Sequence, residues 1–462
     1  MEQVVNFIFN IVFFNVFGFC ELGDKVNLPF SIAVLLIGYI YVMLKLHFIQ
    51  FTHFGVILRY TFARNKKEKN TSSPIKTLLT SMASCTGMNA TAGVVFMIAV
   101  GGAGTVFWLL ILALSAMPFR FSEVYLSHFY RSTNQNSNSM IGGPFDYIKK
   151  GLADIGFRKT GKTLSLVYAG LMVLAGVIGV SMYEMNQAVV VFEKGFTFLE
   201  GKRMMLSVFF TIFASWVVLG GTKRIEKFMS VALPILSITY VFASIIVIAC
   251  NFDRLGSALS FIYEDAMRPK SLAGGIIASF CLCARKFTLA HETGLGTSGI
   301  VHASSVENDS VREATRAMLT PVITVIICLS TSLVLLTTNI YHDAEIMKDG
   351  VSAISYAFGL VFKPFSYIVV AIIPMFTINV MIGWSNYVAK CTTFIFKRKQ
   401  LVVFVMVLFF IFAFIGGIID NFYFIMNVVD TILMFILLLN VPIIAALTNK
   451  IVCNVVKKYN FK

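Results

Sequence analysis

Residues 80–100, TSMASCTGMNATAGVVFMIAV, decide the fold. The stretch is long and uncharged enough to cross a bilayer. Its middle, Thr86-Gly87-Met88-Asn89-Ala90-Thr91-Ala92-Gly93, nevertheless gathers small, hydroxyl and amide residues where lipid-facing Leu and Phe would be expected. Either this is a close helix-packing face of small residues, or the helix is locally unwound. In the second case its free carbonyls and amides line a polar cavity at mid-membrane depth, the setting in which irregular backbone is tolerated there.

The rest of the chain has the composition of a lipid-embedded protein. Of 462 residues, 57% are hydrophobic and 13% charged, and mean hydropathy is +0.81. That leaves too little polar surface for a soluble globule, so the fold class is all-α integral membrane. Uncharged runs of roughly 18 residues or more, enough for about 30 Å of hydrocarbon, fall at 26–44, 77–119, 163–183, 204–222, 228–252, 317–342, 364–389, 400–419 and 431–449. The 77–119 run holds two spans, divided by the flexible turn Gly101-Gly102-Ala103-Gly104. A shorter apolar run, 271–284, lies between Lys270 and Arg285 and is read as an interrupted span opening with Gly274-Gly275. The total is about eleven transmembrane helices; with 26–44 as span zero, the others are spans one to ten.

The net charge of +15 would suggest nucleic acid in a soluble chain. Here most of the 38 Lys and Arg fall in alternate segments, 45–76, 120–162, 223–227, 285–316, 390–399 and 450–462. That is the cytoplasmic bias of membrane loops, so the charge reports topology, with the C-terminus inside and no nucleic-acid partner. The expected localisation is the bacterial cytoplasmic membrane. Residues 3–20 are uncharged but interrupted by Gln3, Asn6, Asn10 and Asn15, with no basic start or cleavage site, and read as an in-plane interfacial helix rather than a signal peptide. The expected organisation is an extracytoplasmic or interfacial segment 1–25, one transmembrane domain 26–450 with repeats at about 77–252 and 260–449, and a cytoplasmic tail 451–462. The eight cysteines are scattered and form neither a disulfide framework nor a zinc site. His291-Glu292 begins like a metalloprotease motif but lacks the second histidine. No nucleophile and base pair is recognisable, so an enzyme is not expected.

Spans one and six are both interrupted and stand five apart, at the heads of two five-span halves. That is the pattern of inverted-repeat secondary transporters, in which half-helix ends face an anionic group and a cation.

Several stretches resemble the alanine or glycine:cation symporter family: QFTHFGVILR from Gln50, TAGVVFMIAVGGAGTVFW from Thr91, FSEVYLSHFYR from Phe121, IGGPFDYIKKGL from Ile141, VLGGTKRI from Val218, ETGLGTSGIVHA from Glu292 and IGWSNY from Ile382. The resemblance implies a five-plus-five inverted-repeat fold, a small neutral amino acid as substrate, and sodium as coupling ion with no other cofactor. Where the family has Gly-x-Gly-Asn in span one, this chain has Gly87-Met88-Asn89-Ala90. Glu184 stands at the family's span-three glutamine, and Asn379 and Val380 at its adjacent span-eight threonines.

The candidate substrate-binding residues are Thr86, Gly87, Asn89, Glu184, Gly383 and Trp384. The substrate carboxylate is expected on backbone amides near Thr86 and Gly87, and its side chain against Trp384. Glu184, after a long uncharged run, either pairs with the substrate ammonium or carries a proton. Asn379, with carbonyls near Ser84 and Cys85, is the candidate cation site, since hard cations prefer oxygen; a proton at Glu184 is the rival coupling ion, and a non-transporting membrane sensor on the same fold is the rival function. Glu292 and Gly294 read as a tight turn after span six, His302 as a loop hydrogen-bond partner, and Asp430 and Asn440 as polar links between helices.

Overall fold

The structure is a computed structural model, and it describes residues 12–16, 28–62, 74–133, 140–267, 275–347, 350–420 and 422–459. Most of the expected N-terminal interfacial helix and Gly274 lie outside these residues. The described chain is helical apart from its connecting loops, a two-residue hairpin pairing Ser132–Thr133 with Met140–Ile141, and an isolated bridge between Asn15 and Pro29. Seven of its helices are long and apolar enough to cross a membrane.

Span zero is the helix Phe30–Lys45, which packs on span ten, Phe422–Tyr459. Span ten continues through most of the segment expected as a tail. Span two is Thr105–Phe129, and the expected turn before it is present, with Gly102 at φ 81° and the Gly104 N–H donating to Asp265 Oδ2 at 2.8 Å. Span three is one continuous helix, Arg158–Gly195, interrupted by a π-helical turn at Ala175–Val180, four residues before Glu184. Such turns shift helical register and recur at functional positions. Span four is Arg203–Leu219, span five Gly221–Cys250, span seven Ser310–Thr337, span eight Lys363–Phe396 and span nine Lys399–Ile418. Two helices in stretches expected as loops, Leu255–Met267 and Gly350–Val361, pack against spans two and one respectively.

Span one is broken where the small polar residues stand. Its first half, Pro74–Cys85, ends at Thr86; a single 3-10 turn, Met88–Ala90, follows; the second half is Ala92–Gly101. Gly87 and Thr91 flank the turn with backbone angles that no helix adopts, φ −122°, ψ −149° and φ −119°, ψ −84°.

Span six departs from the expectation. Gly275–His291 is one unbroken helix that passes straight through Arg285 and Lys286. The break comes after it, at 292–296, and a short helix Thr297–His302 follows. Glu292, Gly294 and Gly296 all have positive φ, 55°, 98° and 93°, which a right-handed helix excludes. The residues read as a turn beyond the span are the break itself.

Candidate binding site

Both breaks and three further spans meet at one small cavity. Span one contributes Cys85, Gly87 and Asn89, and span three Val180, Tyr183 and Glu184. Span six contributes Leu289 and Glu292, span eight Val380 and Trp384, and span ten Val429, Asp430 and Leu433. Close backbone approach makes this convergence possible. A Cβ on Gly383 would fall 2.3 Å from Ser84 Oγ and 2.9 Å from its Cα, so span eight rides directly on span one. A Cβ on Gly176, in the π turn, would fall 2.2 Å from Val388 of span eight.

Of the residues singled out from sequence, the cavity brings together Cys85, Gly87, Asn89, Glu184 and Trp384. Thr86, Ser84, Gly383 and Asn379 do not line it. Thr86 is buried beside the break with its hydroxyl unpartnered. The Ser84 hydroxyl donates to its own helix at Thr80 O, 2.8 Å, and the Cys85 thiol to Ser81 O, 3.4 Å. Asn379 is fully buried with both amide atoms unpartnered. Asp430 and Glu292, which were assigned to structure, line the cavity.

Glu184 is 4% exposed and, among the described residues, its Oε2 meets no donor. A Cβ on Gly87 would stand 3.2 Å and 3.3 Å from the two Glu184 carboxylate oxygens, so the acid lies against the span-one break. Glu292 is equally buried; its Oε1 accepts from the Trp384 indole N–H at 2.7 Å, while Oε2 has no partner. Asp430 accepts from Arg285 Nε at 3.1 Å and from Lys286 Nζ at 3.4 Å. Both bases stand on span six, so this pair spans the cavity's edge and explains how two cations fit inside a membrane helix.

The span-six break is held by side chains from all around it. Arg120 of span two donates to the His291 carbonyl and lies 3.7 Å from Glu123, which accepts the Gly294 N–H at 3.3 Å. Tyr39 of span zero donates to Thr293 O at 3.0 Å, and Tyr168 of span three to Leu295 O at 2.7 Å. Asn440 of span ten donates to Gly294 O at 2.8 Å and accepts from Tyr147. A Cβ on Gly296 would strike the Tyr168 hydroxyl at 2.4 Å and Pro144 at 2.3 Å, so this position excludes a side chain twice over. Beyond the break, His302 Nδ1 bonds Glu313 at 2.6 Å, and Arg316 binds Glu307 at 2.9 Å and Glu313 at 3.2 Å. His302 is thus a hydrogen-bond partner, as its place in the sequence suggested.

Discontinuous helices around a buried polar chamber define a class, the multi-pass membrane carriers. The fold matches the crystal structure of MhsT in complex with L-phenylalanine at a TM-score of 0.58 and 13% identity, over 86% of this chain and 91% of that one. The model of the sodium:alanine symporter family matches residues 19–462, and the chain belongs to that family. It is 28% identical to an uncharacterized transporter of Haemophilus influenzae over 77% of each chain. It is 26% identical to the sodium/alanine symporter AgcS of Methanococcus maripaludis, over 80% of this chain and 82% of that protein. The probable sodium/glutamine symporter GlnT of Bacillus subtilis is also 26% identical, over 67% of this chain and 63% of its own. The chain therefore stands among transporters, not enzymes, in a family of sodium-coupled amino-acid carriers.

Proposed function

We propose that this protein imports a small neutral amino acid, of the alanine or glycine class, by alternating access across the bacterial cytoplasmic membrane, coupled to sodium. The observation that carries this is the meeting of Gly87, Glu184 and Trp384 at one buried cavity. The substrate carboxylate sits on the amides freed at the span-one break, its ammonium on Glu184 and its small side chain against the Trp384 ring. Cation binding favours the outward-open, loaded state and so couples the two gradients. The two breaks, heading successive sets of five spans, support the five-plus-five inverted-repeat arrangement, and the alternating basic segments support a cytoplasmic C-terminus.

Proton coupling is favoured by one observation, the burial of Glu184 with a carboxylate oxygen that meets no donor. Uptake of labelled alanine and glycine into proteoliposomes decides. The expected result is accumulation driven by an inward sodium gradient. Accumulation driven by an inward proton gradient without sodium would establish the rival ion. Binding without flux under either gradient would overturn the carrier function.

A further inference from the structure

Among the described residues, three carboxylates line the cavity and only one of them makes an ion pair with bases. Asp430 has Arg285 and Lys286. Arg120 is engaged directly by Glu123 and the His291 carbonyl; its charge reaches Glu292 but makes no ion pair with it among the described residues. Glu184 and Glu292 remain, each 4% exposed and lining the same small cavity, each with Oε2 lacking a donor in the hydrogen bonds of the described residues. Two such carboxylates in a low-dielectric chamber repel one another and call for a positive partner. A neutral amino acid brings no net charge, so its ammonium cannot balance both acids once its own carboxylate is counted.

The position of Glu292 adds a second, geometric argument. A non-glycine residue at φ 55° is held there only by its surroundings, and such residues cluster at working sites. The Trp384 indole fixes Oε1, and the Thr297 hydroxyl stands beside the carboxylate. The result is a fixed, oxygen-rich donor set opposite a second acid on span three.

We propose that Glu184 and Glu292 together form a monovalent-cation site, taking one sodium ion or one proton between their free oxygens, and that coupling runs through this pair rather than through span eight. The proposal rests on the carrier function for its consequence, but not for its binding chemistry. An ion held there ties span three to the span-six break beside Gly87 and Trp384, and so favours the arrangement in which the cavity is closed around substrate.

The test is binding of ²²Na⁺ to the purified full chain in detergent without amino acid, for the native protein, Glu184→Gln and Glu292→Gln. Glutamine keeps an oxygen to accept the Trp384 N–H, so Glu292→Gln removes charge and not the indole contact. Each variant is expected to raise half-saturating sodium at least tenfold. Should Glu292→Gln fail to fold, Glu184→Gln alone carries the same expectation. If sodium does not bind the native chain, proton-driven uptake without sodium is measured instead, and loss of that uptake in both variants supports the site with a proton as occupant. Sodium affinity unchanged within twofold in both variants, or lost only in Asn379→Leu, overturns the assignment, as does proton-driven uptake that survives both glutamines. A native chain that binds sodium through the two acids yet moves no amino acid would overturn the transport function and leave the cation site standing.

Discussion

The two helix breaks face the same cavity but differ in what holds their backbone. At 292–296 the carbonyls and amides are met by Arg120, Glu123, Tyr39, Tyr168 and Asn440, drawn from spans zero, two, three and ten. At 86–89, among the described residues, no side chain from another helix hydrogen-bonds the backbone; Gly87 N–H turns back to Cys85 O, and the Met88 carbonyl takes the N–H and the hydroxyl of nearby Thr91. A backbone group away from water needs a partner. The span-six break already has protein partners, which makes it a frame, whereas the span-one break leaves its partners to be supplied by a ligand. Substitutions should therefore separate, those around span six lowering stability first and those at span one lowering affinity first.

The largest expected effect is at Arg120. Arg120→Ala leaves Glu123, fully buried, without its charge partner and the His291 carbonyl without its donor. Breaking a buried pair from one side costs about 3–5 kcal/mol, enough to remove most folded protein. Size-exclusion yield in mild detergent and thermal unfolding measure it. A well-folded Arg120→Ala with weakened substrate binding would mean that the frame is not a frame.

Half of this contrast was legible in the sequence. The span-one break announces itself because Thr86 to Gly93 replaces lipid-facing residues with small polar ones inside an otherwise apolar run, and the Gly101–Gly104 turn is a local glycine signal. An uncharged run is a poor measure of span six, because Arg285 and Lys286 end the run while the helix continues through them to His291. Their partner Asp430 lies 145 and 144 positions away, and no local window sees a salt bridge at that distance. Arg120 misled in the same way, counted with the basic loops although it is fully buried in span two. The available signal was Glu292-Thr293-Gly294-Leu295-Gly296, two glycines two apart after an acid. In the sequence alone, Glu292 and Gly294 read as a tight turn after span six. Among the site residues, Glu184 and Trp384 were found from an isolated carboxylate and a resemblance. Glu292 was passed over because its role depends on the indole of span eight.

A middle effect is expected at Asn440, where the contrast can be sharpened without disturbing charge. Asn440→Ala orphans the Gly294 carbonyl and the Tyr147 hydroxyl, both buried. Leaving such groups unpaired costs about 1–3 kcal/mol. The unfolding midpoint should fall, and transport per mass of protein with it, while half-saturating substrate for the folded fraction stays within threefold of native. An affinity loss larger than that would move the Gly294 carbonyl from the frame into the ligand's own contacts.

The smallest effect on stability belongs to Gly87→Ala, and there the two breaks part most clearly. The added methyl would stand 2.7 Å from Val380 Cγ2 and 3.2 Å from Glu184 Oε1, both ends of side chains that can turn away. Gly87 has φ −122°, which alanine adopts without strain, so overpacking should cost only about 1 kcal/mol. The same methyl narrows the gap between the open amides and Glu184, where the amino-acid backbone is proposed to lie. Half-saturating alanine should rise about tenfold, equivalent to about 1.4 kcal/mol of binding, with an unfolding midpoint close to native. If Gly87→Ala lowers the unfolding midpoint more than Asn440→Ala while leaving alanine affinity intact, then span one is the packed joint, and the substrate must dock on backbone belonging to span six.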